Sequence, residues 1–284
     1  MNSHVRFCLL IVGLFLYVSS TLHAQTLQVG FLGGGANYQG ELQDKYINLD
    51  GISAAVGVSV FYSPQPRFNF SAEIMRGTLT GSDAVPGARN AARNLQFVTR
   101  LYELSVQGRF NFIVNDEALI IPYASAGVSG FHIDPYTPAE GGRIYLFPLG
   151  TEGQGLPEYP DRKMNRNINA ALLGGGGVEI RLSDNLKLDF ELVFRKTFTD
   201  YIDDVSSTYP DAMALLKARG PIALRYAYRG SAPEVPVGTQ RGNPGTNDMY
   251  HVIAFRLRYT LSSNNLSPVY GRSLFRKRGW PYGR

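Results

Sequence analysis

"LKLDFELVFRK", Leu186–Lys196, alternates with period two along its whole length. Leu186, Leu188, Phe190, Leu192 and Phe194 fall on one face of an extended chain, and Lys187, Asp189, Glu191 and Arg195 fall on the other. A soluble sandwich would turn the apolar face inward and leave the charge in water. A membrane barrel reverses this, with apolar side chains toward lipid and charge in the lumen. The segment is therefore a strand, and the fold depends on which solvent its apolar face meets.

The connections between strands give the answer. The same period marks Leu27–Ala36, Gly51–Tyr62, Phe68–Thr78, Leu101–Phe112 (with a start near Gln96), Leu119–Phe131, Asn169–Leu182 and Met249–Leu261, which makes eight strands in all. Tight joins, "SPQPR", "IVNDEA" and "SDN", follow the second, fourth and sixth strands. Long ones, Asn37–Asp50, Leu79–Arg100, His132–Ile168 and Thr197–Asp248, follow the odd strands. Short connections on one side and long ones on the other are the signature of an outer-membrane barrel, with tight periplasmic turns and long extracellular loops. Strands of about 11–13 residues suit a tilted crossing of the bilayer. Aromatics at strand ends, such as Phe61, Tyr62, Phe110, Phe112 and Tyr259, suit its interfacial girdles. The expectation is an all-β, eight-stranded antiparallel transmembrane barrel. A lipocalin-like barrel or a sandwich is the soluble alternative.

The flanks read differently. Arg6 and the apolar run Phe7–Val18 have the form of a signal peptide, with cleavage expected after Ala24. Export to the outer membrane follows. The barrel is then expected over 25–261 and a basic periplasmic tail over 262–284. Cys8, the only cysteine, lies inside the leader, which leaves no thiol for disulfides, zinc–thiolate sites or nucleophilic catalysis. The net charge of +5 comes from that tail, which carries Arg272, Arg276, Lys277, Arg278 and Arg284 and no acid. The remaining body is near neutral, so a nucleic-acid surface is not indicated.

Eight strands enclose a bore that side chains can fill. The expected lumen residues are Glu73, Glu103, Arg109, Glu179, Arg181, Asp189, Glu191, Arg195, Arg256 and Arg258, five acids against five bases. Mutual neutralisation would plug the bore, because an isolated buried charge is costly. Function would then lie in the loops, the periplasmic face or the tail.

Other motifs carry less. "GFLGGG" (Gly30–Gly35) and "GGGG" (Gly174–Gly177) lack the Lys-Ser/Thr of a phosphate loop, and glycines in barrel strands permit coiling. His132 and His251 come with no nucleophile elbow, so no catalytic residue is assigned. Asp200, Asp203 and Asp204 cluster at the base of the longest loop. Their carboxylate oxygens would suit Ca²⁺, but their spacing is not that of an EF-hand, and the reading preferred over a cation site is that they cap a turn and pair with rim arginines such as Arg166 or Arg195. "DAMALLKARG" (Asp211–Gly220) predicts a short external helix starting at Asp211 and ending at Gly220. "IYLFPLGTEGQGLPEYP" (Ile144–Pro160) predicts an ordered loop packed on the barrel mouth. No cofactor, metal or small-molecule substrate is expected.

"PLGTEGQG" (Pro148–Gly155), "RKTFTDYIDDVSSTY" (Arg195–Tyr209) and "GFLGGGANYQGEL" (Gly30–Leu42) together resemble a family of Bacteroidota outer-membrane barrels. That family includes the PorG-like components of the type IX secretion system. The resemblance implies a non-enzymatic barrel that anchors a secretion and gliding assembly and associates with periplasmic ring proteins of the PorK/PorN type. It carries over no enzymatic residue. One departure is that such barrels commonly end on an aromatic strand residue, whereas here a tail with Arg272, Arg276, Lys277, Arg278 and Trp280 follows Leu261 and is the candidate partner-binding peptide. The other functional classes are a barrel acting in adhesion or envelope stability through its loops, and an outer-membrane lipid-modifying enzyme.

Overall fold

The computed structural model describes residues 26–43, 51–85, 90–115, 117–230 and 237–263. The expected leader lies outside them, as do Arg272, Arg276, Lys277, Arg278 and Trp280 of the tail.

Among the described residues ten strands form one antiparallel sheet: β1 (Thr26–Gln39), β2 (Ser53–Gln65), β3 (Phe68–Ser82), β4 (Gln96–Asn111), β5 (Ile120–His132), β6 (Tyr136–Ala139), β7 (Gly142–Tyr145), β8 (Ile168–Arg181), β9 (Leu186–Thr197) and β10 (Met249–Ser263). Eight of them close in the order β3-β2-β1-β10-β9-β8-β5-β4, with β4 returning to β3. The expected eight-stranded barrel is therefore what the chain forms, and every expected strand is present with its ends moved by a few residues. The hairpin β6–β7 was not expected. It stands above the barrel and touches β4 where Tyr136 pairs with Val98. Closure removes the free edges that a sheet would otherwise expose. Gly40 follows β1 directly, and Gln39 pairs with Met249 at the start of β10, so the loops after β1 and before β10 begin side by side.

The polarity is inverted, as a barrel in hydrocarbon requires. Ile168 is 73% exposed, Ile74 63% and Phe31 61%, whereas Glu179, Arg195 and Arg258 are each 1% exposed. Apolar groups cover the outside, and charges fill the inside. Among the described residues no helix is long and apolar enough to cross a membrane. Glycine has a steric role in this wall. A Cβ on Gly175 would lie 2.2 Å from the Leu192 carbonyl oxygen, and one on Gly177 would lie 2.2 Å from that of Phe190. These glycines let β8 and β9 approach and coil, which is the physical sense of the GGGG run.

The long-loop end of the bore is apolar. Leu79, Phe97, Leu101, Phe131, Ile133 and Val252 meet Phe147, Ile202 and Val205, which come down from the long loops. A helical run, α1 (Ala212–Ala227), lies above. Asp211 caps it by accepting from the Ala214 amide at 2.7 Å. Gly220, expected to end the helix, instead breaks it with φ 83° ahead of Pro221, and a second helical piece continues to Ala227.

Candidate functional site

The lumen is built from alternate residues of β3, β4, β8, β9 and β10, which the period-two pleat turns inward. Its charges form three tiers. Nearest the short turns, Arg109 reaches Glu179 at 2.7 Å and Asp189 at 3.2 Å. Arg258 also contacts Glu179, and its Nε lies 2.8 Å from Asp189. In the middle, Arg256 bridges Glu73 at 2.5 Å and Glu191 at 2.8 Å. Above, Arg195 pairs with Glu103 at 3.2 Å, and the Tyr250 hydroxyl donates to the same carboxylate. Lys187 adds a contact to Glu179 at 3.1 Å. Nine of the ten expected lumen residues lie buried inside, and Arg181 sits at the short-turn rim, partly exposed and 3.9 Å from Glu179. The tiers and the apolar layer above them fill the bore.

The two long-loop segments singled out in the sequence fold against each other. Glu152, from "GTEG", is fully buried and accepts from the amides of Ser206 and Ser207, each at 2.9 Å. It also accepts from the Ser207 hydroxyl at 2.7 Å, from Tyr201 at 3.2 Å and from Arg241 at 2.9 Å. Thr151 donates to Asp204 at 2.5 Å, Asn165 donates to it at 3.2 Å, and Arg241 donates to its backbone carbonyl at 2.5 Å. Burial alone would raise Glu152, but Arg241 and the serine donors outweigh it and hold the carboxyl below its ordinary value. Burial pushes Asp204 up to about 7, with Arg241 opposing.

A second pocket lies at the rim, where β1, β10 and β9 end side by side. Carboxylate oxygens of Glu41, Asp200 and Asp248 all lie within 4.8 Å of one another. Asp248 accepts from Tyr38 at 3.0 Å and from the Ile202 amide at 2.8 Å. Tyr38 also donates to Asp203 at 2.6 Å, and Asp203 accepts from the Val205 amide at 2.9 Å. Glu41 accepts from the Asn243 amide at 3.2 Å through one oxygen, and its other oxygen is buried without a partner. Asp200 is 7% exposed, and neither of its oxygens has a hydrogen-bond partner. Burial pushes Asp200 up to about 7, helped by Asp203 and Glu152 and opposed by a nearby Ser206 hydroxyl that does not reach hydrogen-bonding geometry. Burial and then Asp200 raise Glu41 to about 7. Burial and neighbouring acids raise Asp203 and Asp248 further. The nearby guanidinium, Arg93, is committed to Asp83 at 2.8 Å and to backbone carbonyls.

The structure corrects one expected pairing and separates the aspartates. Asp200, Asp203 and Asp204 do not pair with Arg166 or Arg195, because Arg195 points into the lumen toward Glu103 and Arg166 is exposed. Asp204 belongs to the Glu152 hub, whereas Asp200 and Asp203 belong to the rim pocket. Residues the sequence reading did not pick out are Tyr38, Glu41, Arg93, Glu152, Arg241 and Asp248. A signal for two of them, Glu41 and Asp248, was present: closure of an even barrel puts its first and last strands together, so the residues just after β1 and just before β10 must meet. His251 packs on Phe194 at 5.5 Å and both its ring nitrogens are without hydrogen bonds, so it sits in no triad.

A family model described as Domain of unknown function (DUF6089) matches residues 6–142, ending in the β6–β7 hairpin. No protein of curated function matches the chain. Among solved structures, the chain is similar to Neisserial surface protein A at 11% identity, covering 84% of this chain and 97% of that one, with a TM-score of 0.42. It is similar to Ail, the attachment invasion locus protein of Yersinia pestis, at 8% identity, 84% and 99% coverage and a TM-score of 0.39. It is also similar to the outer membrane protein OprG from Pseudomonas aeruginosa at 9% identity, 84% and 96% coverage and a TM-score of 0.37. Likenesses this distant say nothing of this chain's activity, and the barrel rests on its own strand pairing.

Proposed function

We propose that this protein is a non-enzymatic outer-membrane anchor that acts through its two ends rather than through its bore. The observation that carries this reading is the filled lumen. Three tiers of ion pairs under an apolar layer leave a rigid post rather than a conduit. The assembly it serves is, in this reading, a type IX secretion apparatus of the PorG-containing kind. Support comes from the segments at 30–42, 148–155 and 195–209 that resemble that barrel family. The latter two interlock through Glu152, Ser206 and Ser207 to build the cap, so the resemblance falls on residues with a structural task. On the periplasmic side the short turns offer little surface. The basic tail, with Arg272, Arg276, Lys277, Arg278 and Trp280, is then the contact for a ring of the PorK/PorN type.

A clean deletion strain tests the reading. Proteins bearing type IX export signals should accumulate in the periplasm, and replacing Arg276, Lys277 and Arg278 by Ala should reduce co-purification of ring proteins. Normal export in a strain lacking the barrel would overturn the secretion role while leaving the anchor fold intact.

A further inference from the structure

We propose that the rim pocket formed by Glu41, Asp200 and Asp248 binds one Ca²⁺ ion, which ties together the loops leaving β1 and β9 and the loop entering β10. Acidic clusters are common without ions, so the case rests on what surrounds this one. Asp200 is 7% exposed, and both of its oxygens lack a hydrogen-bond partner. An unpaired buried carboxylate is costly unless something completes it. Its ligand oxygen and those of Glu41 and Asp248 all lie within 4.8 Å of one another. One oxygen of Glu41 is likewise orphaned.

The backbone makes room for this pocket. A Cβ on Gly40 would lie 2.2 Å from the Asp248 Oδ1 and 2.0 Å from the Tyr38 hydroxyl, so only glycine lets the chain pass this close to the carboxylates. Tyr38 and the Ile202 amide already orient Asp248 from behind, as second partners orient metal-binding carboxylates. Among the described residues the nearby cations are engaged elsewhere: Arg93 is held by Asp83, and the Lys196 ammonium donates to the Asn247 carbonyl at 2.7 Å.

The donor set chooses the ion. Three carboxylates with no imidazole or thiolate suit a hard cation. Ca²⁺ binds oxygens at about 2.3–2.6 Å in flexible geometry, whereas Mg²⁺ at about 2.0–2.1 Å demands a near-octahedral set and keeps several of its waters. The pocket faces the long-loop side, and extracellular Ca²⁺ modules bind with Kd on the order of 10⁻⁴–10⁻³ M. This proposal is independent of any role in secretion.

The test uses the refolded full-length barrel in detergent at pH 8. Calorimetric titration with CaCl₂ should show one saturable site per chain with Kd about 10⁻⁴–10⁻³ M, and thermal unfolding should shift upward with added Ca²⁺ more than with Mg²⁺. Asp200→Asn should weaken Ca²⁺ binding by on the order of tenfold or more, because it removes a charged ligand. Asp161→Asn, at an exposed acid outside the pocket, should leave binding unchanged. Should Asp200→Asn fail to refold, Glu41→Gln serves in its place. A barrel whose unfolding ignores Ca²⁺, or whose Ca²⁺ response survives both substitutions, would overturn the site. Equal responses to Ca²⁺ and Mg²⁺ would overturn the choice of ion.

Discussion

The lumen and the rim pocket both bury carboxylates, and they treat them in opposite ways. In the lumen each acid meets a guanidinium within 3.2 Å, and several guanidinium groups serve two acids. At the rim, Glu41, Asp200 and Asp248 face one another, and the nearby Arg93 is occupied by Asp83. In the lumen every acid has a counter-charge within the fold, although single atoms such as Glu73 Oε1 and Arg256 Nε have no hydrogen-bond partner. The rim is complete only with protons or a cation. A plug that neutralises itself makes a static post, whereas a pocket left acid-rich at the base of the loops makes a place where the surroundings can set loop order. The Glu152 hub stands between them, a buried acid in the cap supplied with its own arginine.

The contrast can be broken first at its strongest point. Arg258→Met should destabilise the barrel by about 3–5 kcal/mol, because it strips Glu179 and Asp189 of a shared buried partner. Denaturant unfolding of the refolded barrel measures this. Adding Asp189→Asn should recover part of the loss, and no recovery would mean that the tiers are not electrostatic units. Arg241→Met comes next, at about 2–3 kcal/mol, since Glu152 keeps its serine and tyrosine donors. This loss should appear as protease cleavage within the long loops while the barrel itself stays folded.

Charge removal at the rim should have the reverse sign. With chelator present, Asp200→Asn should leave the cap as stable as the parent or more so, whereas Glu191→Gln in the lumen should destabilise. Equal losses at both sites would erase the distinction between them.

The pH response separates the two kinds of acid within the cap. Glu41, Asp200 and Asp204 are raised to about 7 in the folded chain, so the native state holds more protons than the unfolded chain between about 4 and 7. Without divalent cations the cap should gain stability as pH falls from about 8 to about 5. Glu152 is held below its ordinary value, so its contribution is present above about 4.5 and is lost as pH falls further. Loop proteolysis across this range should show greatest protection near pH 5. Protection that only rises toward pH 8 would contradict the rim's acid excess. The smallest effect is expected for Asp211→Ala, about 1 kcal/mol confined to α1, because it removes one cap hydrogen bond. Amide exchange in the first turn of the helix reads it.

The strands were legible because a pleat is local. The alternation of Leu188, Phe190 and Leu192 with Asp189 and Glu191 states which side chains share a face without any knowledge of neighbours. The long loops were legible as ordered from their prolines, glycines and aromatics. Their internal partners were not, because Glu152 finds Ser207 and Arg241 only after two separate loops dock. The same holds for the three aspartates. Adjacent in sequence, they were read as one cluster, yet a left-handed backbone at Asp204 (φ 65°) turns that residue toward Thr151 and away from the rim.

What the sequence determined by itself was therefore the number of barrel strands, the face each of their residues takes and the reversal of polarity that selects lipid as the outer solvent. These follow from a two-residue repeat and from the lengths of the connections. Only the tertiary structure decided which acid meets which base. Arg109 and Glu179 are 70 positions apart, and Arg256 and Glu73 are 183 apart. Such pairings depend on closure and register, and a shift of one residue would turn every charge toward lipid. Closure also brought Glu41 and Asp248 to one rim beside Asp200, where their excess charge is left for an ion to settle.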